Sequence, residues 1–173
     1  MAQKDQLIKE KLNYSGFFNF KGAYSFAHSW LYDEKFDIVE DKYSEKVSGN
    51  ARDINFTWRV SKRLSEYFKT EYEMKFTIKN LTEVEVEIDG ERKKMNKGDI
   101  EVETKASLVK DPDSKWEGSP FLAFLRDVYN TYVIPSRIFN MENIVTSNVM
   151  KFNEQMKAYL ELSGRRGGTV ENA

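Results

Sequence analysis

The chain has 173 residues, of which 40% are hydrophobic and 32% charged, a composition that excludes a disordered polymer, a collagen-like repeat and a membrane protein. Its 27 Lys and Arg against 28 Asp and Glu give a formal net charge of −1, so no net positive field attracts nucleic acid, and no nucleic-acid partner is expected. The chain contains no cysteine, which excludes disulfides, thiolate nucleophiles and iron–sulfur clusters. No secretory signal and no long apolar run is visible, so we expect a cytoplasmic protein without an integral membrane segment.

The first third of the chain carries two helical patterns. Three apolar residues near the N-terminus share one helical face and predict a short amphipathic helix or a docking arm: Leu7, Ile8 and Leu12. The second pattern predicts a helix from about Phe20 to Asp33, with apolar residues at helical spacing. Asn19 is its expected N-cap, because a side-chain oxygen at that position can accept a hydrogen bond from a free backbone N–H of the first turn.

After Glu34 the hydrophobic period changes to the alternation of strands. The alternation starts at Phe36 and Ile38, and the alternating runs predict an antiparallel meander with one apolar face: residues 36–38, 54–60, 72–78, 84–88 and 100–108. The hairpin signal Asp89-Gly90 would place Glu85 opposite Lys94 and Glu87 opposite Arg92. With Lys97-Gly98 as a second turn, these residues and Glu101 and Glu103 form an exposed salt-bridge ladder.

The last part of the chain predicts a broken helical pair. Ser119-Pro120 is typical of a helix start, and the residues after it are apolar over about half the helix circumference. We therefore expect this helix to be buried against the sheet. Pro135 should break it, a second helix should follow, and residues 163–173 are expected to be a flexible polar tail.

These elements predict a single α+β domain over residues 1–162. Its antiparallel meander sheet would have about five or six strands, with one preceding helix and a kinked C-terminal helical pair packed on it.

The sequence predicts no catalytic residue, no metal site and no cofactor. His28 is the only histidine, and we interpret it as a partly buried structural side chain, with proton transfer or a pH-sensitive contact as the alternative. Four carboxylates could bind a hard cation but lack the ligand spacing of a calcium loop, and we interpret them as a solvated strand edge: Asp37, Glu40, Asp41 and Glu45.

Two resemblances concern most of the chain. The chain resembles uncharacterised small archaeal proteins in the segment from Lys115 to Phe121, in the aromatic residues after it and in Gly16-Phe17-Phe18. This resemblance implies no activity. The order of a helix, a long meander and a C-terminal helix is similar to the helix-grip arrangement of START-like domains, which often enclose an apolar ligand. Those domains open with a strand, whereas residues 1–20 show no clear alternation.

Two functions follow as hypotheses. The first is a non-catalytic interaction protein that associates with itself or another protein through a seam on its C-terminal helix, with Trp116 as a further contact: Val145, Val149, Phe152 and Met156. Ordinary intramolecular packing is the alternative explanation of that spacing. The second is an apolar small-molecule binder with four residues near a cavity: Trp58, Phe76, Tyr129 and His28. An enzyme using His28 is the third choice.

Overall fold

A computed structural model describes residues 3–171 of the chain, and it contains one five-stranded antiparallel sheet with helices. The α+β class and the strand number are confirmed. The elements in chain order are β1 (Gln3–Phe18), α1 (Phe20–Asp33), β2 (Asp37–Ser48), β3 (Ala51–Arg63), β4 (Phe68–Ile88), β5 (Glu91–Lys110), α2 (Pro120–Val128), a π-helical turn (Tyr129–Val133) and α3 (Pro135–Glu171).

The N-terminal segment is a strand, so the predicted helix is wrong. β1 pairs antiparallel with β5, and the strand order is β1-β5-β4-β3-β2. A bulge between Gln6 and Ile8 interrupts the alternation, so that Leu7 and Ile8 are both partly buried although they are adjacent. Because of this bulge, Leu7, Ile8 and Leu12 have the spacing of one helical face although they lie in a strand. The chain therefore opens with a strand, although residues 1–20 show no clear alternation in the sequence.

Local turn chemistry fixes the hairpins. Ser48 pairs with Ala51 across a tight turn, and Asp89 and Gly90 both have positive φ, as a type I′ hairpin turn requires. The predicted pairs Glu85–Lys94 and Glu87–Arg92 are confirmed in the register of β4 and β5.

The predicted turn at Lys97-Gly98 is wrong, because β5 runs through it without a break. β4 has a register shift between Lys79 and Thr82, and Gly98 lies against this bulge. A Cβ atom at Gly98 would lie 2.9 Å from the Lys79 carbonyl oxygen, so a glycine is needed for this close approach.

Both predicted helix starts are confirmed by their caps. The Asn19 side chain accepts a hydrogen bond from the Gly22 N–H at 3.0 Å, and Ser119 Oγ accepts one from the Leu122 N–H at 3.2 Å. The predicted break at Pro135 is also present, since the π-helical turn ends at Val133 and α3 begins at the proline.

One face of the sheet carries the core. The helices α1 and α3 cover this inner face, and the buried side chains of β3, β4 and β5 form one apolar cluster with them. The opposite, outer face is charged: Glu103, for example, lies 3.6–3.9 Å from the ammonium groups of Lys9, Lys11 and Lys105. The expected three-strand ladder is wrong in its second half, because Arg92 and Lys94 lie on the same strand as Glu101 and Glu103. These two glutamates form ion pairs with Lys9 and Lys11 of β1 instead.

Two expectations about the C-terminal region are corrected. The helix α2 does not pack on the sheet: Arg126 is its only buried residue. The structure also continues α3 to Glu171, where a flexible tail from residue 163 was expected, and Gly164 lies against the Tyr14 side chain and the Phe17 carbonyl of β1. Residues 172 and 173 of the expected tail lie outside the described residues.

Candidate functional site

The predicted seam on α3 lies in the interior of the protein. Val145, Val149, Phe152 and Met156 are only 0–2% exposed, and the Phe152 ring packs edge-to-face against Trp30 of α1 at 5.3 Å. These side chains are therefore not available to a partner in this structure. This corrects the expected surface seam, and intramolecular packing accounts for the spacing.

Several large apolar side chains of α2 and the π-helical turn are exposed instead. We define the aromatic helix face by four side chains that are 61–78% exposed: Phe121, Phe124, Tyr132 and Val133. Phe121, Phe124 and Tyr132 also fall on one side of the helix, with the half-buried Val128 between them. None of these four side chains is charged, and the exposed Asp127 lies beside Phe124 at the edge of the face.

The opposite side of α2 is anchored by a buried ion pair. Arg126 Nη1 donates to Glu117 Oε1 at 2.8 Å, and both side chains are largely buried. Because a charged group is costly to bury without its partner, this pair holds α2 against the preceding loop in one orientation.

Aromatic and amide side chains complete the anchor. Tyr129 contacts Tyr67 edge-to-face, and Asn130 accepts a hydrogen bond from the Tyr67 hydroxyl and donates one to Gln3 of β1 at 2.9 Å. Burial, the largest cause, raises the pKa of Tyr67, which keeps its hydroxyl protonated as a donor. The anchor consequently turns the aromatic helix face toward solvent.

Trp116, expected as a partner contact, is half-buried in this anchor. Its ring stacks on Tyr129 at 6.1 Å with an interplanar angle of 11°. The stack uses one face of the indole for intramolecular packing, so Trp116 is part of the anchor under α2 and not of the aromatic helix face.

The four predicted ligand residues do not form one site. Trp58 and Phe76 are buried and pack against each other at 4.7 Å, and His28 contacts Trp58 at 5.9 Å. His28 is exposed, where a partly buried side chain was expected. Tyr129 belongs to the anchor under α2 and packs on Trp116 and Tyr67.

One feature of the sequence could have indicated the aromatic helix face. The apolar arc of residues 121–133 is wider than one contact with a sheet needs, and the structure uses only part of it for anchoring. The excess arc forms the exposed face. Its direction could not be read from the sequence, because periodicity does not say which side of a wide arc is covered.

No group of three or more metal-ligating His, Asp or Glu side chains occurs within the described part of the chain. Among the helices of residues 3–171, none combines the length and the hydropathy needed to cross a membrane. Comparison with protein-family models, with curated proteins and with solved structures gave no match to this chain.

Proposed function

We propose that the protein is a non-catalytic interaction protein whose copies associate through the aromatic helix face. The observation that carries this proposal is the exposure of three aromatic rings on one side of a firmly anchored helix. Soluble monomers rarely leave contiguous apolar patches of several hundred Å² uncovered, and such patches are typical of interaction surfaces.

The size of the patch suits the centre of an interface. An aromatic side chain buries roughly 150–250 Å², so three rings at these exposures offer on the order of 300–500 Å². A standard interface buries about 800 Å² per partner, with a central cluster of aromatic residues that contributes most of the binding energy. Polar residues around the face would supply the rim.

The charge distribution favours a second copy over a membrane surface. In a two-fold dimer the same surface patch of each copy faces the other. A face made of uncharged side chains therefore avoids repulsion between like charges. An interfacial membrane helix is typically flanked by several Lys and Arg. Between residues 119 and 140 the only cations are Arg126, which is paired with Glu117, and Arg137, which lies over the Phe68 ring.

The proposal is tested by the oligomeric state of the full chain. We expect a dimer by sedimentation, and we expect Phe124→Arg to raise the dimer dissociation constant at least about tenfold, since a hot-spot aromatic contributes about 2 kcal/mol or more. Tyr32→Arg is the matched control, because Tyr32 is a comparably exposed aromatic on α1, and this variant should remain dimeric.

Circular dichroism and thermal unfolding of both variants check that the fold is retained. A monomeric wild-type chain across the micromolar range would overturn the proposal, and so would a folded Phe124→Arg variant that is as dimeric as the wild type. The apolar-ligand hypothesis has less support, since the core residues expected to line a cavity pack on each other.

A further inference from the structure

An open cleft separates α1 from the edge strand β2 on the inner side of the sheet. Its volume is about 390 Å³, within the range of small-molecule sites. Two elements line it: Phe20, Lys21, Tyr24 and Ser25 from α1, and Glu40 and Tyr43 from β2. We call this space the α1–β2 cleft.

The walls of the cleft are aromatic. The buried Phe56 lies behind it, with its ring centroid 5.4 Å from Tyr24, 6.1 Å from Tyr43 and 6.5 Å from Phe20. Phe20 and Tyr24 are inclined by 56° to each other, so the rings form a corner and not a flat stack. A corner of inclined rings lets a ligand group contact more than one aromatic side chain.

A bulge in β2 places a carboxylate in this corner. The register of β2 shifts between Glu40 and Lys42, so that Glu40 pairs with Trp58 and Tyr43 pairs with Phe56. Trp58 and Phe56 both belong to the apolar inner face, and Glu40 and Tyr43 consequently line the same cleft although they are three residues apart.

Glu40 has no cationic partner among the described residues. Its one hydrogen bond is long: the Tyr24 hydroxyl donates to Glu40 Oε2 at 3.4 Å. The neighbouring Glu45, in contrast, is paired with Arg52 at 3.3 Å. Lys21 is the only cation that lines the cleft, and its side chain is exposed and forms no ion pair with Glu40.

The two tyrosines present neutral rings at physiological pH. Burial, followed by the charge of Glu40, raises the pKa of Tyr24, and burial, followed by the charge of Glu45, raises the pKa of Tyr43. Both hydroxyl groups therefore stay protonated, and no phenolate competes with Glu40 for a cation.

We propose that the α1–β2 cleft binds a small organic cation with a quaternary or methylated ammonium group. The methyl groups of such a cation bury apolar surface, its charge is attracted to the faces of aromatic rings within about 6 Å, and a carboxylate completes the site. Glu40 is exposed, so its carboxylate contributes no attraction to a neutral apolar ligand and repels an anion. This inference does not depend on the proposed self-association.

The test compares choline with its uncharged carbon analogue, in which a tert-butyl group replaces the trimethylammonium group, by calorimetric titration of the full chain. We expect saturable choline binding in the millimolar range or tighter, and weaker binding of the neutral analogue. Equal binding of the two compounds would overturn the proposal, and so would the absence of choline binding in this range.

Variants locate the site. Glu40→Gln should weaken choline binding about tenfold and Tyr43→Leu about fivefold, since the first removes the counter-charge and the second removes a ring. Asp41→Asn is the matched control on the same strand and should change the affinity less than about twofold, because Asp41 does not line the cleft and is paired with Arg59 at 3.1 Å. Choline binding that is unchanged in Glu40→Gln, with the fold retained by circular dichroism, contradicts the proposal.

Discussion

At the scale of single residues, Tyr72 links burial to the pH dependence of stability. Its side chain on β4 is 4% exposed and contacts Phe36 at 5.0 Å. Burial, the largest cause, raises its pKa from 10.0 to about 12. The unfolded chain loses this proton near pH 10 while the folded chain keeps it, so the free energy of unfolding falls as the pH rises from 10 to 12.

We expect the free energy of unfolding of Tyr72→Phe to fall less steeply than that of the wild type between pH 10 and 12. One titrating group contributes a slope of at most about 1.4 kcal/mol per pH unit, and the phenylalanine variant has no such group. Urea unfolding at several pH values between 8 and 12 measures the difference. Tyr132→Phe removes a hydroxyl from an exposed ring and serves as the control. Parallel stability curves for wild type and Tyr72→Phe would contradict this explanation.

At the scale of elements, α3 shows that a helical stripe does not reveal what covers it. Val145, Val149 and Phe152 have the spacing of a self-association seam, yet the inner face of the sheet and α1 cover them. The helix α2 shows the opposite case, because its apolar residues predict burial and several are exposed. Periodicity is a local property, whereas coverage depends on contacts between distant parts of the chain.

The two phenylalanines of α3 provide a matched comparison. Phe152→Ala should lower the free energy of unfolding by about 3–5 kcal/mol, because it leaves a cavity beside Trp30 in a packed core. Phe139→Ala should change it by less than about 0.5 kcal/mol, since Phe139 is 61% exposed. Denaturant unfolding measures both values. Similar values for the two variants would mean that Phe152 is not in the core.

At the scale of the whole molecule, the sheet is unevenly protected. Strand β5 is hydrogen-bonded on both sides, by β1 and β4, and its inner face is buried under α3. Strand β2 pairs only with β3, and nearly all of its side chains are exposed. Such an edge strand has backbone groups that no neighbouring strand satisfies.

Amide hydrogen exchange should follow this asymmetry. We expect amides of residues 100–108 in β5 to exchange at least about 100-fold more slowly than amides of residues 38–46 in β2, because edge strands open locally while central strands open only with the whole domain. Exchange measured by NMR or mass spectrometry tests this. Equal protection of the two segments would show that something covers the free edge of β2.

The sequence by itself determined the features that depend on neighbouring residues. The side chains of Asn19 and Ser119 accept hydrogen bonds from N–H groups in the first turns of α1 and α2. Asp89-Gly90 closes a tight hairpin, and alternating side chains mark the inner face of β3. Each of these is decided within a few residues, by backbone sterics and by the need to satisfy free N–H groups.

Only the tertiary structure decided which surfaces remain free. β1 became a strand because β5, about 90 residues later in the chain, pairs with it. The aromatic helix face is exposed because Arg126 and Tyr129 anchor the other side of α2, and Glu40 meets Tyr24 because a bulge in β2 lies beside α1. These outcomes depend on contacts between distant segments, which local periodicity does not encode.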